Sequence, residues 1–175
     1  MKTSDRLKAI DNSRESWRAS LSRVPPDDVT LIRLIRVASQ GITAFTDPML
    51  LEAGLTESSY HSLIVIVASG DKGITVTAVC DQVGQARANM TRILKLLEAA
   101  QLTKMHSDDR DARRKRVVAT AKGRRLVRTC SERLDPVVVT AFSALGDREK
   151  RSLDELLRKL IASMSEAESE AQRRA

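Results

Sequence analysis

Between Thr75 and Thr120 the spacing of apolar residues changes twice, and few folds accommodate both changes. Val76, Val79, Cys80 and Val83 recur at the i, i+3, i+4, i+7 positions of a helix that Thr75 can cap, and this run stops at Gly84. A residue without a Cβ permits the sharp reversal needed between two helices. From Gln85 or Ala86 a second helical run follows, with Met90, Ile93, Leu94 and Leu97 as its inward stripe. The period then drops to that of a strand over Leu102–His106 and again over Arg116–Thr120, with a polar, charge-dense tip between. Helix, short glycine turn, helix and hairpin predict a winged helix-turn-helix.

The flanking sequence reads as helix throughout. Leu7, Ile10, Trp17 and Leu21 give a short amphipathic arm over 1–27, stopped by Pro25–Pro26 and expected to pack on the body. After Asp27–Asp28 come Leu31, Leu34, Ile35, Ala38, Ile42 and Phe45, with Val29, Ile32 and Val37 on other sides. A helix apolar on more than one side has two things to bury against, which fits a subunit interface. Gly54 ends that segment, and Thr56 can cap a helix whose apolar positions are Tyr60, Leu63, Ile64, Val67 and Ala68, broken by Gly70–Gly73. From Ala121 a long helix carries Leu126, Cys130, Leu134, Val138 and Phe142, and Pro136 is expected to kink or interrupt it. The last helix restarts at Gly146–Asp147 with the stripe Leu153, Leu156, Leu157, Leu160, Ile161 and Met164, and the polar residues after Ser165, 169–175 above all, are expected to fray. The expected fold is therefore mainly α with a small β-hairpin. Residues 54–120 are expected to form the winged helix-turn-helix lobe, with 28–53 and 121–168 as the helices that flank it.

Charge supplies the functional direction. The chain has a formal net charge of +7, and Lys104–Arg128 alone holds ten basic against three acidic residues, so this segment carries the whole excess. A localised cationic footprint points to a polyanionic partner. With the inward stripe fixed, Arg87, Ala88, Thr91, Arg92 and Lys95 face mostly outward from the second helix of the pair, with Gln85 and Asn89 near its exposed start. Arg pairs with guanine, Asn and Gln with adenine, and Thr and Lys with the phosphate backbone. At the hairpin tip, Arg113, Arg114, Lys115 and Arg116 repel one another unless a duplex relieves them, and Asp111 can brace Arg113 in a bidentate pair. A basic helical module that binds an acidic protein is the alternative.

Other classes find no support in the composition. Trp17, Phe45, Tyr60 and Phe142 are the only aromatic residues, too few for the stacking platform of a single-strand binder. Cys80 and Cys130 show no CxxC spacing, and His61 and His106 complete no zinc quartet with them, so no metal or other cofactor is expected. Both cysteines fall on apolar stripes as buried thiols, with redox sensing as the alternative. There is no Gly-rich phosphate loop, GxSxG or HExxH, so an enzyme is not expected. No apolar run is long enough for a bilayer, and neither a secretory signal nor a transit peptide reads well. These features together fit a cytoplasmic protein.

From about Leu31 to Met164 the chain resembles the MarR (multiple antibiotic resistance regulator) family of winged-helix transcription factors. The matching residues are Gly54-Leu55-Thr56, Arg87-Ala88-Asn89-Met90-Thr91-Arg92, Leu97-Glu98, Asp108-Asp109-Arg110-Asp111-Ala112-Arg113, Thr120 and Gly123. Phe142–Met164, with its Ala-Leu-Gly-Asp opening, is similar to the branch that represses multidrug-efflux operons. The resemblance implies a homodimer held by interlocking terminal helices. It places Arg87, Asn89, Thr91 and Arg92 in a major groove and Arg113, braced by Asp111, in a minor groove. It also implies a double-stranded, pseudo-palindromic operator and release by a small phenolic or aromatic effector in a cleft near Tyr60 and His61. A ligand-blind regulator is the other version. Gln101 stands where the family has Gly, Ala119 where it has Leu, and Gln85 where it has a small hydroxyl residue.

Overall fold

The computed structural model describes residues 2–21, 25–107 and 115–174. The chain forms two compact units, Met1–Val137 and Val138–Ala175. The first contains α1 (Thr3–Ser20), α2 (Pro26–Glu52), α3 (Glu57–Ala68), a 3₁₀ turn (Gly70–Lys72), β1 (Ile74–Thr75), α4 (Val76–Val83), α5 (Arg87–Ala99), β2 (Thr103–Ser107) and β3 (Lys115–Ala119). It also takes in most of α6 (Ala121–Phe142), while α7 (Asp147–Arg174) lies wholly in the second.

Local chemistry explains the boundaries. Thr56 Oγ1 accepts from the Ser59 amide at 3.3 Å while the Thr56 amide donates to Ser59 Oγ at 2.8 Å, a reciprocal cap on α3. Thr75 Oγ1 accepts from the Ala78 amide at 3.3 Å and starts α4, and Gly84, with φ +68°, ends it. Pro26 takes the first position of α2, where a missing N–H costs nothing.

The core of the first unit gathers Leu50, Leu55, Leu63, Ile66, Val79, Met90, Leu94, Leu97 and Val117 under α3, α4, α5 and the sheet. In α3 the buried face differs from the expected one. Tyr60 and Leu63 are buried, but so are Ile66, Ser59 and Ser62, whereas Ile64 and Val67 are only half-buried. Ser62 tolerates this because its hydroxyl donates to the Ser58 carbonyl at 2.7 Å. The arm α1 packs along α2: Ile10 is buried, Arg6 Nη1 donates to Gln40 Oε1 at 2.7 Å, Arg14 pairs with Asp27 at 2.6 Å, and the Arg33 guanidinium lies 5.0 Å from the Trp17 ring centroid.

The sheet has three antiparallel strands in the order β1-β3-β2, with Ile74 opposite Val117 and Thr103 opposite Ala119. The hairpin was legible, but β1 was not: it adds a third strand of only two residues.

The terminal helices are longer than expected. α6 runs through Pro136 as one helix. α7 is helical past Ser165, to Arg174. Its surface carries the interactions of a self-supporting helix: Arg158 Nε donates to Asp154 at 2.8 Å, which holds the Asp154 carboxyl below its usual range, and Arg173 Nε donates to the Ser169 carbonyl at 3.2 Å.

At the end of α5, Gln101 has φ 60°, its amide bonds the Glu98 carbonyl at 2.8 Å and the Leu102 amide bonds that of Leu97 at 2.9 Å. This is a Schellman ending with a side chain where glycine is preferred. Gln101→Gly is expected to raise stability by about 0.5–1 kcal/mol, the left-handed strain less the added backbone entropy. Gly123→Ala is expected to cost about 1–3 kcal/mol, because its Cβ would stand 2.2 Å from the Leu102 carbonyl oxygen. Urea unfolding of both variants checks the opposite signs.

Candidate nucleic-acid interface

α5 presents its outward face because the opposite stripe, Met90, Ile93, Leu94 and Leu97, is sealed in the core. Arg87, Ala88, Thr91, Arg92 and Lys95 are exposed, and Gln85 and Asn89 are half-buried. The side chains are partly organised among themselves: Asn89 Nδ2 donates to Gln85 Oε1 at 2.5 Å, Arg92 Nη2 donates to Asn89 Oδ1 at 3.2 Å, and Thr91 Oγ1 donates to the Arg87 carbonyl at 2.9 Å. Ala86 occupies the cap position of α5 without a capping side chain. The first turn therefore has no side-chain cap, and its positive dipole end is left to an external acceptor.

Between α4, α5 and the strands lies an open cleft of about 670 Å³. Arg87, Thr91 and Lys95 line one side, Lys115 and Met105 the other, and Thr75 and Thr77 stand at the start of α4, with Asp81 contributing an acid. Cations from two elements thus converge on one concavity, with hydroxyls beside them. Such a surface suits a chain of phosphates, which takes both charge and neutral donors. Thr75 and Thr77 were not singled out as site residues in the sequence. The signal available was Thr75 at a helix start, where its role as a cap obscured its place in the cleft.

Arg116 does something different from its neighbours. Its Nη1 donates to the Gly73 carbonyl at 2.8 Å and to that of Lys72 at 3.2 Å, so the guanidinium ties β3 to the 3₁₀ turn. Lys115 is exposed.

No protein-family model matches the sequence. The transcriptional repressor MprA of Escherichia coli (strain K12) is 25% identical over 146 residues, which is 83% of this chain and 83% of that protein. The Staphylococcus aureus MepR–DNA complex superposes with a TM-score of 0.68 at 25% identity, covering 74% of this chain and 95% of that one. The C80S mutant of Escherichia coli MarR complexed with operator DNA superposes with a TM-score of 0.69 at 20% identity, covering 77% and 95%. The chain has the winged-helix fold that MepR and MarR share.

Within this winged-helix fold the residues assigned from sequence fall into three groups. Arg87, Thr91, Lys95 and Lys115 share the cleft, while Ala88 and Arg92 stand on the outward side of α5. Asp111, Arg113 and Arg114, at the tip of the wing, lie outside the described residues. Tyr60 and His61 belong to α3, away from this surface. Tyr60 is buried with its hydroxyl 3.2 Å from Ser131 Oγ on α6, and His61 is exposed.

Cys80 and Cys130 are free, buried thiols, as their apolar stripes implied. Burial pushes the Cys130 thiol above its ordinary value, with the Arg133 charge opposing. A raised value means less thiolate at neutral pH and slower attack on disulfides. Native protein mixed with an aromatic disulfide reagent at pH 7 is expected to react slowly at Cys130, faster as the pH rises, and fully at both cysteines in denaturant. Rapid reaction of Cys130 in the native state at pH 7 would contradict this burial.

Proposed function

We propose that this chain is a homodimeric transcriptional repressor that reads a pseudo-palindromic operator. The convergence of Arg87, Thr91, Lys95 and Lys115 on one exposed cleft beside an outward-facing α5 carries the reading. In it, Gln85, Arg87, Ala88, Asn89, Thr91, Arg92 and Lys95 face a major groove, with Ala88 allowing close approach. Arg113 enters the adjacent minor groove, held by Asp111, while Arg114 and Lys115 touch phosphate. Arg116 fixes the base of the wing instead of contacting DNA, through its bonds to Gly73 and Lys72. The DNA-bound states named for MepR and the MarR mutant support the same reading.

Dimerisation is supported by apolar surface that the chain leaves uncovered. On α2, Leu31, Ile35, Ile42 and Phe45 recur at heptad-like spacing, and Phe45 is 58% exposed. On α7, Leu156 is 64% and Ile161 60% exposed, within a stripe that has no buried member. Stripes of this length on a monomer mark association surfaces. Residues 28–53 and 121–168 are accordingly assigned to the dimer, 54–120 to DNA, and the 1–27 arm to bracing α2. Two recognition helices would then enter major grooves about 34–36 Å apart. A small phenolic or aromatic effector near Tyr60 and His61 would release the operator. A coupling of about 1–3 kcal/mol suffices for a 5- to 150-fold loss of affinity. No described helix is long and apolar enough to cross a membrane, which suits a protein working on DNA inside the cell.

Duplex affinity measured against salt tests the DNA contacts. The logarithmic slope is expected to be steep and to fall by about one for Lys95→Ala and again for Arg113→Ala. An unchanged slope in both would favour the acidic-protein partner. Ile161→Asp is expected to give a folded monomer by sedimentation with weakened operator binding, and a dimer of undiminished stability would remove α7 from the interface.

A further inference from the structure

The exposed side of α5 divides into a ridge and a flank. At about 100° per residue, Ala88, Arg92 and Lys95 stand opposite the buried stripe, whereas Asn89 lies about 60° round from Arg92. Burial follows this geometry: the three ridge residues are exposed, and Asn89 is half-buried. The Asn89 amide is engaged at both ends, its Nδ2 by Gln85 Oε1 at 2.5 Å and its Oδ1 by Arg92 Nη2 at 3.2 Å. Gln85 lies just before the start of α5, and Arg92 follows Asn89 by nearly one turn within it.

We infer that Asn89 is a positioning residue that aims the Arg92 guanidinium at a guanine, and that it does not itself read adenine. The inference rests on the DNA-binding function proposed above and narrows it to one base contact. A free arginine on an exposed ridge samples many rotamers, but its head group is a rigid planar fork, so holding one terminal nitrogen sets the plane of the remaining donors. Guanine offers O6 and N7 to such a fork in the major groove. Asparagine on adenine needs one donor and one acceptor presented together, from a side chain that reaches the base edge. Asn89 is shorter than Arg92, sits off the ridge, and has its acceptor occupied by Arg92. Gln85 completes the device: by accepting from Nδ2 it fixes which end of the amide faces Arg92. The ladder Gln85–Asn89–Arg92 thus converts an exposed cation of the ridge into an oriented one.

Selection from a randomised duplex pool with the full-length protein, followed by affinity measurements on the selected duplex and its single-base variants, tests this. Wild type is expected to enrich a guanine at one position of each half-site, and Arg92→Ala to relax that preference by about 5- to 150-fold. Asn89→Ala is expected to relax the same base pair, and the double variant to lose no more discrimination than Arg92→Ala alone. Asn89→Asp keeps an acceptor for Arg92 but has no donor for adenine, so it is expected to retain the guanine preference whatever its overall affinity. The inference is overturned if Asn89→Ala relaxes a different base pair additively with Arg92→Ala, or leaves specificity unchanged. It is equally overturned if Asn89→Asp abolishes an adenine preference. A wild-type protein that enriches no sequence at all would instead overturn the DNA-reading function itself.

Discussion

The carbonyl of Leu102 is the point from which the geometry of the lobe is set. It accepts from the Thr120 amide at 2.9 Å and from the Thr120 hydroxyl at 3.2 Å, and its oxygen lies where any side chain at Gly123 would have to go. On the other side, the Leu102 amide closes the end of α5 through the Leu97 carbonyl at 2.9 Å. One residue therefore joins the end of α5, the start of β2 and the start of α6. Thr120 reinforces the junction by accepting from the Gly123 amide at 3.0 Å and donating to the Gln101 carbonyl at 2.8 Å, and Lys122 Nζ donates to the Ala100 carbonyl at 2.9 Å. With this many ties, the wing cannot change its angle to α5 without breaking hydrogen bonds whose partners are partly buried.

That rigidity explains how a strained residue is retained. Gln101 holds a left-handed backbone because the α5 ending and Thr120 both require its carbonyl and amide where they are. The strain is local and is balanced by the bonds it makes possible. Charge placement follows the same logic. Arg116 gives up its guanidinium to two backbone carbonyls, and this anchors β3 beside the turn that carries Gly73. Lys115, next to Arg116 on the same strand, stays exposed.

Much of this was legible from residue types and spacing, for reasons that can be stated residue by residue. Thr56 and Thr75 were readable as caps because a hydroxyl before an apolar run has one favourable use, and Gly84 as a turn because few residues accept its backbone angle. The exposed set on α5 followed from the 3.6-residue period once four inward residues were known. What escaped was long-range or very short. β1 spans two residues and is a strand only because Val117 and Arg116 lie opposite it. Arg116 reads as one more wing cation until its partners, more than forty residues earlier, are placed beside it. Ser62 looks polar in sequence and is completely buried, because its hydroxyl is satisfied within its own helix. The continuity of α6 through Pro136 likewise depends on context that a lone proline does not reveal.

The distribution of apolar surface completes the physical picture. Lobe residues such as Leu63, Ile66, Leu94 and Leu97 are sealed almost completely, in a core shared with Leu50 of α2 and Leu134 of α6. The helices α2 and α7 behave in the opposite way, each leaving a regular apolar stripe in water. Hydrophobic free energy scales with the area removed from solvent, so the two regions have different debts: the lobe's is settled within one chain, and the stripes' is not. A protein built this way can change what its stripes contact while its reading surface stays intact. Regulation that acts through the helices would then move whole lobes relative to the duplex and leave the wing-to-helix angle that Leu102 fixes untouched.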